Sequence, residues 1–238
     1  MKIAVITDVH ANLPALQAAL QAIRQEGCDL IVHTGDTVGI GPFPAETLDL
    51  LLNTPQLQFV MGNHDAWFAE GLPQPQPDWM GDGEWQHHEW TNAQLEGSLR
   101  SVVAQWPYQM QQAFEGVKFA FVHYGLDVTG RNFAPILAQP SIADLDALFA
   151  PFTADLVFYG HHHPFSDQQG RARYINPGSL GCCTTALARY TMIVCQQGRY
   201  TVEHRQAPYD DREIFAAFEQ RQVPERSFIY RAFFGGRF

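Results

Sequence analysis

The sequence is short of positive charge. Fifteen Lys+Arg stand against 25 Asp+Glu in 238 residues, a formal charge of -10 with histidine neutral. Binding to long nucleic acid is dominated by Lys and Arg neutralising phosphates, so this balance argues against it. It argues equally against an anionic membrane surface. Long apolar runs are also missing, since no segment approaches the ~20 consecutive apolar residues of a membrane span. The opening MKIAVITDVH meets an Asp and a His too soon for a secretory signal. Cysteine is scarce. Cys28, Cys182, Cys183 and Cys195 show no zinc-knuckle spacing, and they read as reduced thiols of a cytoplasmic protein. Gly39-Ile40-Gly41 lacks the third glycine of a dinucleotide loop, and no G-K-[ST] accompanies it.

What is present is a core. The chain is 46% hydrophobic, and apolar runs of strand length recur along it. KIAVIT (2–7), DLIVHT (29–34) and LQFVM (57–61) come first, then VKFAFV (117–122), DLVFY (155–159) and residues 173–175. The early runs are nearly continuous in apolar character, as in strands buried on both faces. Residues 191–195 and 200–204 are expected to pair antiparallel across a turn at 196–198. Between the first two runs Asn12, Pro14 and the spacing of Leu13, Leu16, Leu20 and Ile23 predict a capped helix ending near Gly27. Further helices are predicted at about 45–52, from Thr91 with Gln94 completing a capping box, from Ser141 with Asp144, and over about 211–220. Residues 72–85, rich in Pro, Gly, Gln and Asp, read as a surface loop. Strands alternating with helices predict an α/β fold with a largely parallel core sheet. The reading is one domain over residues 1–238, with a loop insertion at about 66–90 and a helical extension from about 210.

The informative residues stand directly after the runs. Asp8-Val9-His10 succeeds the first, Gly35-Asp36 the second, and Gly62-Asn63-His64-Asp65 the third. His123 succeeds the fourth, and Gly160-His161-His162-His163 the fifth. In open α/β sheets ligands bind at the carboxyl ends of the strands, so residues far apart in sequence are expected to converge on one edge. Asp, Asn and neutral imidazole suit Mn, Fe, Zn or Ni. The absence of thiolate disfavours a closed structural zinc site. Seven such groups are too many for one ion but suit two sharing a carboxylate. Two ions about 3.5–4 Å apart can clamp a phosphoryl group and generate hydroxide at neutral pH.

The order D-x-H, G-D, G-N-H-D, a lone His, then G-H-x-H resembles the motif set of calcineurin-like metallophosphoesterases, with every ligand position filled. The likeness spans Met1 to about His204, and Asn176-Pro177-Gly178-Ser179 is similar to the N-P-G-S segment of the small bacterial and archaeal phosphodiesterase members. The resemblance implies a two-sheet β-sandwich flanked by helices, in four α/β/β/α layers. It implies that Asp8, His10 and His163 bind a first divalent ion, that Asn63, His123 and His161 bind a second, and that Asp36 bridges them. Manganese is the expected metal in vitro. His64 would approach the scissile ester, stabilise transition-state charge and protonate the leaving oxygen, with Asp65 orienting its ring. Asn12 would lie behind the ligands or near phosphate. The implied function is hydrolysis of phosphate esters, diesters of small or nucleotide-like substrates first. Phosphomonoesters, dinucleoside polyphosphates and a non-catalytic metal-binding scaffold are the alternatives.

Other polar residues have plainer readings. Asn12 serves equally well as a helix cap. His33 lies inside a strand. His87 and His88 fall between a loop and a helix, match no family block, and read as solvated or substrate-adjacent. His162 is a near neighbour only, and His204 sits in the late strand and reads as non-catalytic. Trp67, Trp79, Trp85 and Trp90 are expected to form a small satellite core, with stacking on a substrate base as the lesser reading. Arg131 and Arg189 are phosphate-binder candidates by position alone.

Overall fold

The computed structural model describes residues 1–237. Ten strands form two five-stranded sheets among the described residues. The first sheet holds β1 (Lys2–Ile6), β2 (Leu30–His33), β3 (Leu57–Phe59), β9 (Leu187–Gln196) and β10 (Arg199–Pro208), in the order β10-β9-β1-β2-β3. The second holds β4 (Gln109–Phe114), β5 (Val117–Val122), β6 (Leu156–Phe158), β7 (Ser166–Gln169) and β8 (Arg173–Asn176), in the order β4-β5-β6-β8-β7. Each sheet has a parallel centre, β1-β2-β3 in one and β5-β6-β8 in the other, with antiparallel strands added at the margins.

Strand alternation explains the layering. In β1, Ile3 and Val5 point inward with Val32 and meet Phe119, Phe121, Leu156 and Phe158 of the second sheet. Ala4 and Ile6 point the other way, onto Leu16, Leu20 and Ile23 of α1 (Leu13–Glu26). On the far side Ala120, Val122 and Val157 meet Leu145 of α6 (Ile142–Leu148) and Phe149. Buried apolar faces on both sides of each sheet give the expected α/β/β/α sandwich. Two of the three predicted caps form as expected, those at Asn12 and Ser141. Asn12 Oδ1 accepts from Ala15 N at 3.1 Å, and Ser141 and Asp144 make a reciprocal capping box.

Several elements depart from the sequence reading. The stretch read as a loop to residue 85 gives way to α4 (Asp82–Ala93), so Thr91 lies in the last turn of a helix and Gln94 caps its end, where a helix was expected to open. The apolar set after it forms only a 3-10 turn at Gly97–Leu99 and the short α5 (Arg100–Val103). Besides α2 (Pro44–Leu52) and α7 (Arg212–Gln220), close to expectation, there are α3 (Asn63–Ala69) and α8 (Arg226–Phe233). β4 and β7 have no counterpart in the sequence reading either, because QMQQAF and SDQQ carry little apolar character. Among the described residues no helix is long and apolar enough to cross a membrane.

Candidate metal centre

The carboxyl ends of β1, β2, β3, β5 and β6 open onto one side of the sandwich, and their connecting loops are laid against one another. Asp8, His10 and Ala11 N–H groups donate to the carbonyls of Gly35, Asp36 and Thr37. Gly160 N donates to His123 O, extending the β5–β6 pairing past the strands. The sheets are joined here too, since His161 N donates to the Asp8 carboxylate (3.1 and 3.2 Å) and His123 Nδ1 to Thr34 O (2.8 Å).

The loops turn sharply. Asp8, His10, Asp36 and His161 all have left-handed backbone, with φ of 51°, 47°, 62° and 64°. Non-glycine residues at positive φ are uncommon and gather where function holds the chain in strain. Close approach explains two glycines. A Cβ on Gly62 would lie 2.2 Å from Asp36 N and Oδ1, and one on Gly160 would lie 2.0 Å from Thr7 Oγ1 and 2.6 Å from Asp8 Oδ2.

The turns converge the expected side chains. His10 Nε2 and His163 Nε2 are 2.9 Å apart, and each lies 3.7 Å from Asp8 Oδ1. Asp36 Oδ2 lies 3.2 Å from His123 Nε2, 3.7 Å from His10 Nε2 and 3.9 Å from His64 Nε2. Asn63 Oδ1 lies 3.2 Å from His123 Nε2. Three groups have donor atoms within 4.8 Å of one another: His10–Asp36–His64, Asp36–His123–His161, and His10–His163–Cys182. Asp36 belongs to two of them. Cys182, read from sequence as a plain reduced thiol, sits at the edge of the site because the chain after Ser179 passes beneath it. Leu180 N and Gly181 N donate to Thr7 O and Asp8 O.

The electrostatics fit a cation. Burial keeps most of the imidazoles neutral, pushing His10 down to about 4 and His161 to about 3, with His64 and His163 also well below their ordinary value. Burial, added to by the Asp36 charge, pushes Asp8 up to about 7. Burial opposes the charged form of His123 as well, but Asp36 outweighs it and lifts this imidazole to about 9. Among the described residues no Lys or Arg bonds to Asp8, Asp36 or Asp65. Neutral lone pairs and buried carboxylates without a Lys or Arg partner, aimed at one space, are the donor set a divalent cation requires. The Nδ1 bond of His123 leaves its Nε2 facing that space, as in metal-ligating histidines.

One expected role needs correction. Asp65 does not touch the His64 ring. Its oxygens accept from the N–H groups of Gly62 (3.1 Å), Asp36 (2.8 Å) and Thr37 (2.9 Å), so it fixes the loop that carries Asp36. The His64 Nδ1 atom is buried beside Gly39 and has no hydrogen-bond partner. Asn12 is fully buried and lies behind the ligands, bonded to the Gly181 segment that itself donates to Asp8 O. It caps α1 and donates to Gly181 O (2.8 Å) and Tyr209 Oη (3.1 Å). His87 and His88 are buried rather than solvated, and the His88 ring centroid is 5.0 Å from that of His64. Arg131 lines the cleft over the site and pairs with Glu70, whereas Arg189 packs under Gly178.

The chain matches the calcineurin-like phosphoesterase superfamily domain over residues 1–198. An uncharacterised protein of Methanocaldococcus jannaschii is 25% identical over 246 residues, covering 94% of each chain. A hypothetical protein of Pyrococcus horikoshii superposes with a TM-score of 0.78 at 20% identity, over 100% of this chain and 99% of its own. A metallophosphoesterase of Sphaerobacter thermophilus gives 0.71 at 24%, over 97% and 98%. At those identities the solved structures speak for the fold, and the domain match, which covers most of the chain, speaks for the family. Metal-dependent phosphoester hydrolysis is the activity of that family, and this chain belongs to the calcineurin-like phosphoesterase superfamily.

Proposed function

We propose that the protein is a dimetal phosphodiesterase of small or nucleotide-like diesters. The observation that carries this reading is the donor cluster, in which Asp36 shares close donor atoms with two separate groups of residues. Asp8, His10 and His163 are assigned to one ion, Asn63, His123 and His161 to the other, and Asp36 to both. Two divalent transition ions, manganese in vitro, with iron, zinc or nickel also suited to these donors, supply Lewis acidity and an acidified water.

The chain's own residues do the rest. Asp65 holds the Asp36 loop through three N–H groups. His64 presents Nε2 to the cleft. Because burial keeps its imidazole neutral, its part is to donate an N–H to a phosphoryl or leaving oxygen rather than to deliver a proton from an imidazolium. The cleft, about 1200 Å³, supports the diester preference. Arg131, the one Lys or Arg among the described residues lining it, is already paired with Glu70 at 3.2 Å, so a dianionic monoester finds little counter-charge beyond the ions.

The test is hydrolysis of bis(p-nitrophenyl) phosphate and of p-nitrophenyl phosphate by manganese-loaded protein. The expected result is faster turnover of the diester. A protein that holds two ions and cleaves neither ester would be the non-catalytic scaffold instead.

A further inference from the structure

The cleft walls are aromatic, and each ring approaches the centre through a different histidine. Trp67, three residues after His64, lies 5.0 Å from the His64 ring at 63°. Phe133 meets His123 edge-on at 5.3 Å and 82°, and Phe233 lies 5.5 Å from His163. The Phe133 ring continues to Tyr108 under Arg131, and the Phe233 ring to Phe228 outside the cleft, while the Trp67 ring continues outward along the cleft as an indole wall. Trp79 lies 6.2 Å from Trp67 at 31°, and it is 65% exposed at the cleft mouth. Scattered apolar residues on a surface are normal. This indole differs because it lines the cleft itself and extends an aromatic path that starts at the reacting centre.

The path is held in place. Trp67 is backed by the buried His88 at 4.5 Å. The segment carrying Trp79 is tied down by the neighbouring Met80, itself buried, whose carbonyl accepts from Gln76 Nε2 at 2.8 Å. The charges nearby then decide what kind of arm fits. Glu70 and Glu84 line the same cleft, and Arg131 is committed to Glu70. A further phosphate would meet carboxylates there with no unpaired Lys or Arg among the described lining residues, while an uncharged flat ring would find indole faces.

We propose that Trp67 and Trp79 form a subsite for a flat, uncharged aromatic arm of the substrate, which makes the substrate a nucleoside phosphodiester with a single phosphorus. The inference rests on the diesterase reading above. Stacking of a base on such a platform is sequence-tolerant, so all four bases should serve. One arm of the diester lies along Trp67 and Trp79, and the other is left to the Phe133 side.

The experiment compares the p-nitrophenyl ester of thymidine 5′-phosphate with methyl p-nitrophenyl phosphate. Both carry one negative charge and the same leaving group, so the ratio of their kcat/KM values isolates the retained arm. In manganese-loaded wild type the ratio should be roughly tenfold or more, the size of one base–aromatic stack. It should fall toward one in Trp79→Ala and recover in Trp79→Phe. A wild-type ratio near one, or a ratio that Trp79→Ala leaves unchanged, overturns the subsite. A second measurement needs no turnover: the methyl ester of thymidine 5′-phosphate should quench tryptophan fluorescence saturably in wild type and lose that effect in Trp79→Ala. If neither p-nitrophenyl ester is cleaved, the diesterase reading fails and the quenching alone decides. Saturable quenching sensitive to Trp79 then upholds the subsite, and its absence refutes it.

Discussion

His64 shows how far a residue can be read before its surroundings are known. Its place in G-N-H-D and its approach to the reacting centre were legible, because strand-end position is set by sequence order. Its charge was not. An imidazole with the ordinary pKa of about 6.5 suits proton donation near neutrality, but burial holds this one well below that value. A neutral N–H donor contributes through hydrogen bonding, and removing one such donor typically costs about 10²–10³ in kcat. His64→Ala should therefore lower turnover by roughly that factor, and by the same factor for aryl and alkyl leaving groups. A much larger loss for the alkyl ester would restore the general-acid role. Since His64 Nε2 also lies 3.9 Å from Asp36 Oδ2, metal analysis of the same variant is needed. Both ions should remain. Asp36→Ala should instead weaken both, and loss of one equivalent alone would refute the bridge.

The elements divide by how much of their sequence is buried. α1 and α6 were legible through their caps and apolar spacing, and the parallel strands through continuous apolar runs. β4 alternates exposed with partly buried residues, and α4 (DGEWQHHEWTNA) mixes loop-forming Gly and Asp with its aromatics, so neither has a strong local pattern. What fixes such elements is contact with others. Asp65 is one such tie between elements. Asp65→Ala would strand three buried N–H groups at roughly 1–3 kcal/mol each, so a loss of at least about 3 kcal/mol is expected in denaturant unfolding. His87 is another. It bonds through Nδ1 to Pro224 O at 3.2 Å, linking α4 to the segment before α8. Burial, with His88 beside it, pushes His87 down to about 4 from 6.5. The unfolded chain takes up that proton first. The contribution is therefore complete above about pH 6.5 and fades as pH falls toward 4, by roughly 2 kcal/mol at pH 5. Unfolding midpoints at pH 7 and 5 should differ less in His87→Gln than in wild type, and equal differences would show that another group titrates.

At the scale of the whole molecule the proposed ligands come from both sheets, β1, β2 and β3 on one side and β5 and β6 on the other. A ligand that binds only the folded state stabilises it by RT ln(1 + [L]/Kd), about 4 kcal/mol at a thousandfold excess over Kd. The midpoint of thermal unfolding should rise with free manganese and fall on chelation, and Asp36→Ala should flatten the dependence. A midpoint indifferent to metal would mean that the cluster binds none tightly. The four cysteines are free, so no disulfide braces the sandwich. Ions spanning Asp8 and His163 would give the chain a detachable cross-link in place of a covalent one. Chelation would then expose the protein to proteases, and restored metal would shield it again.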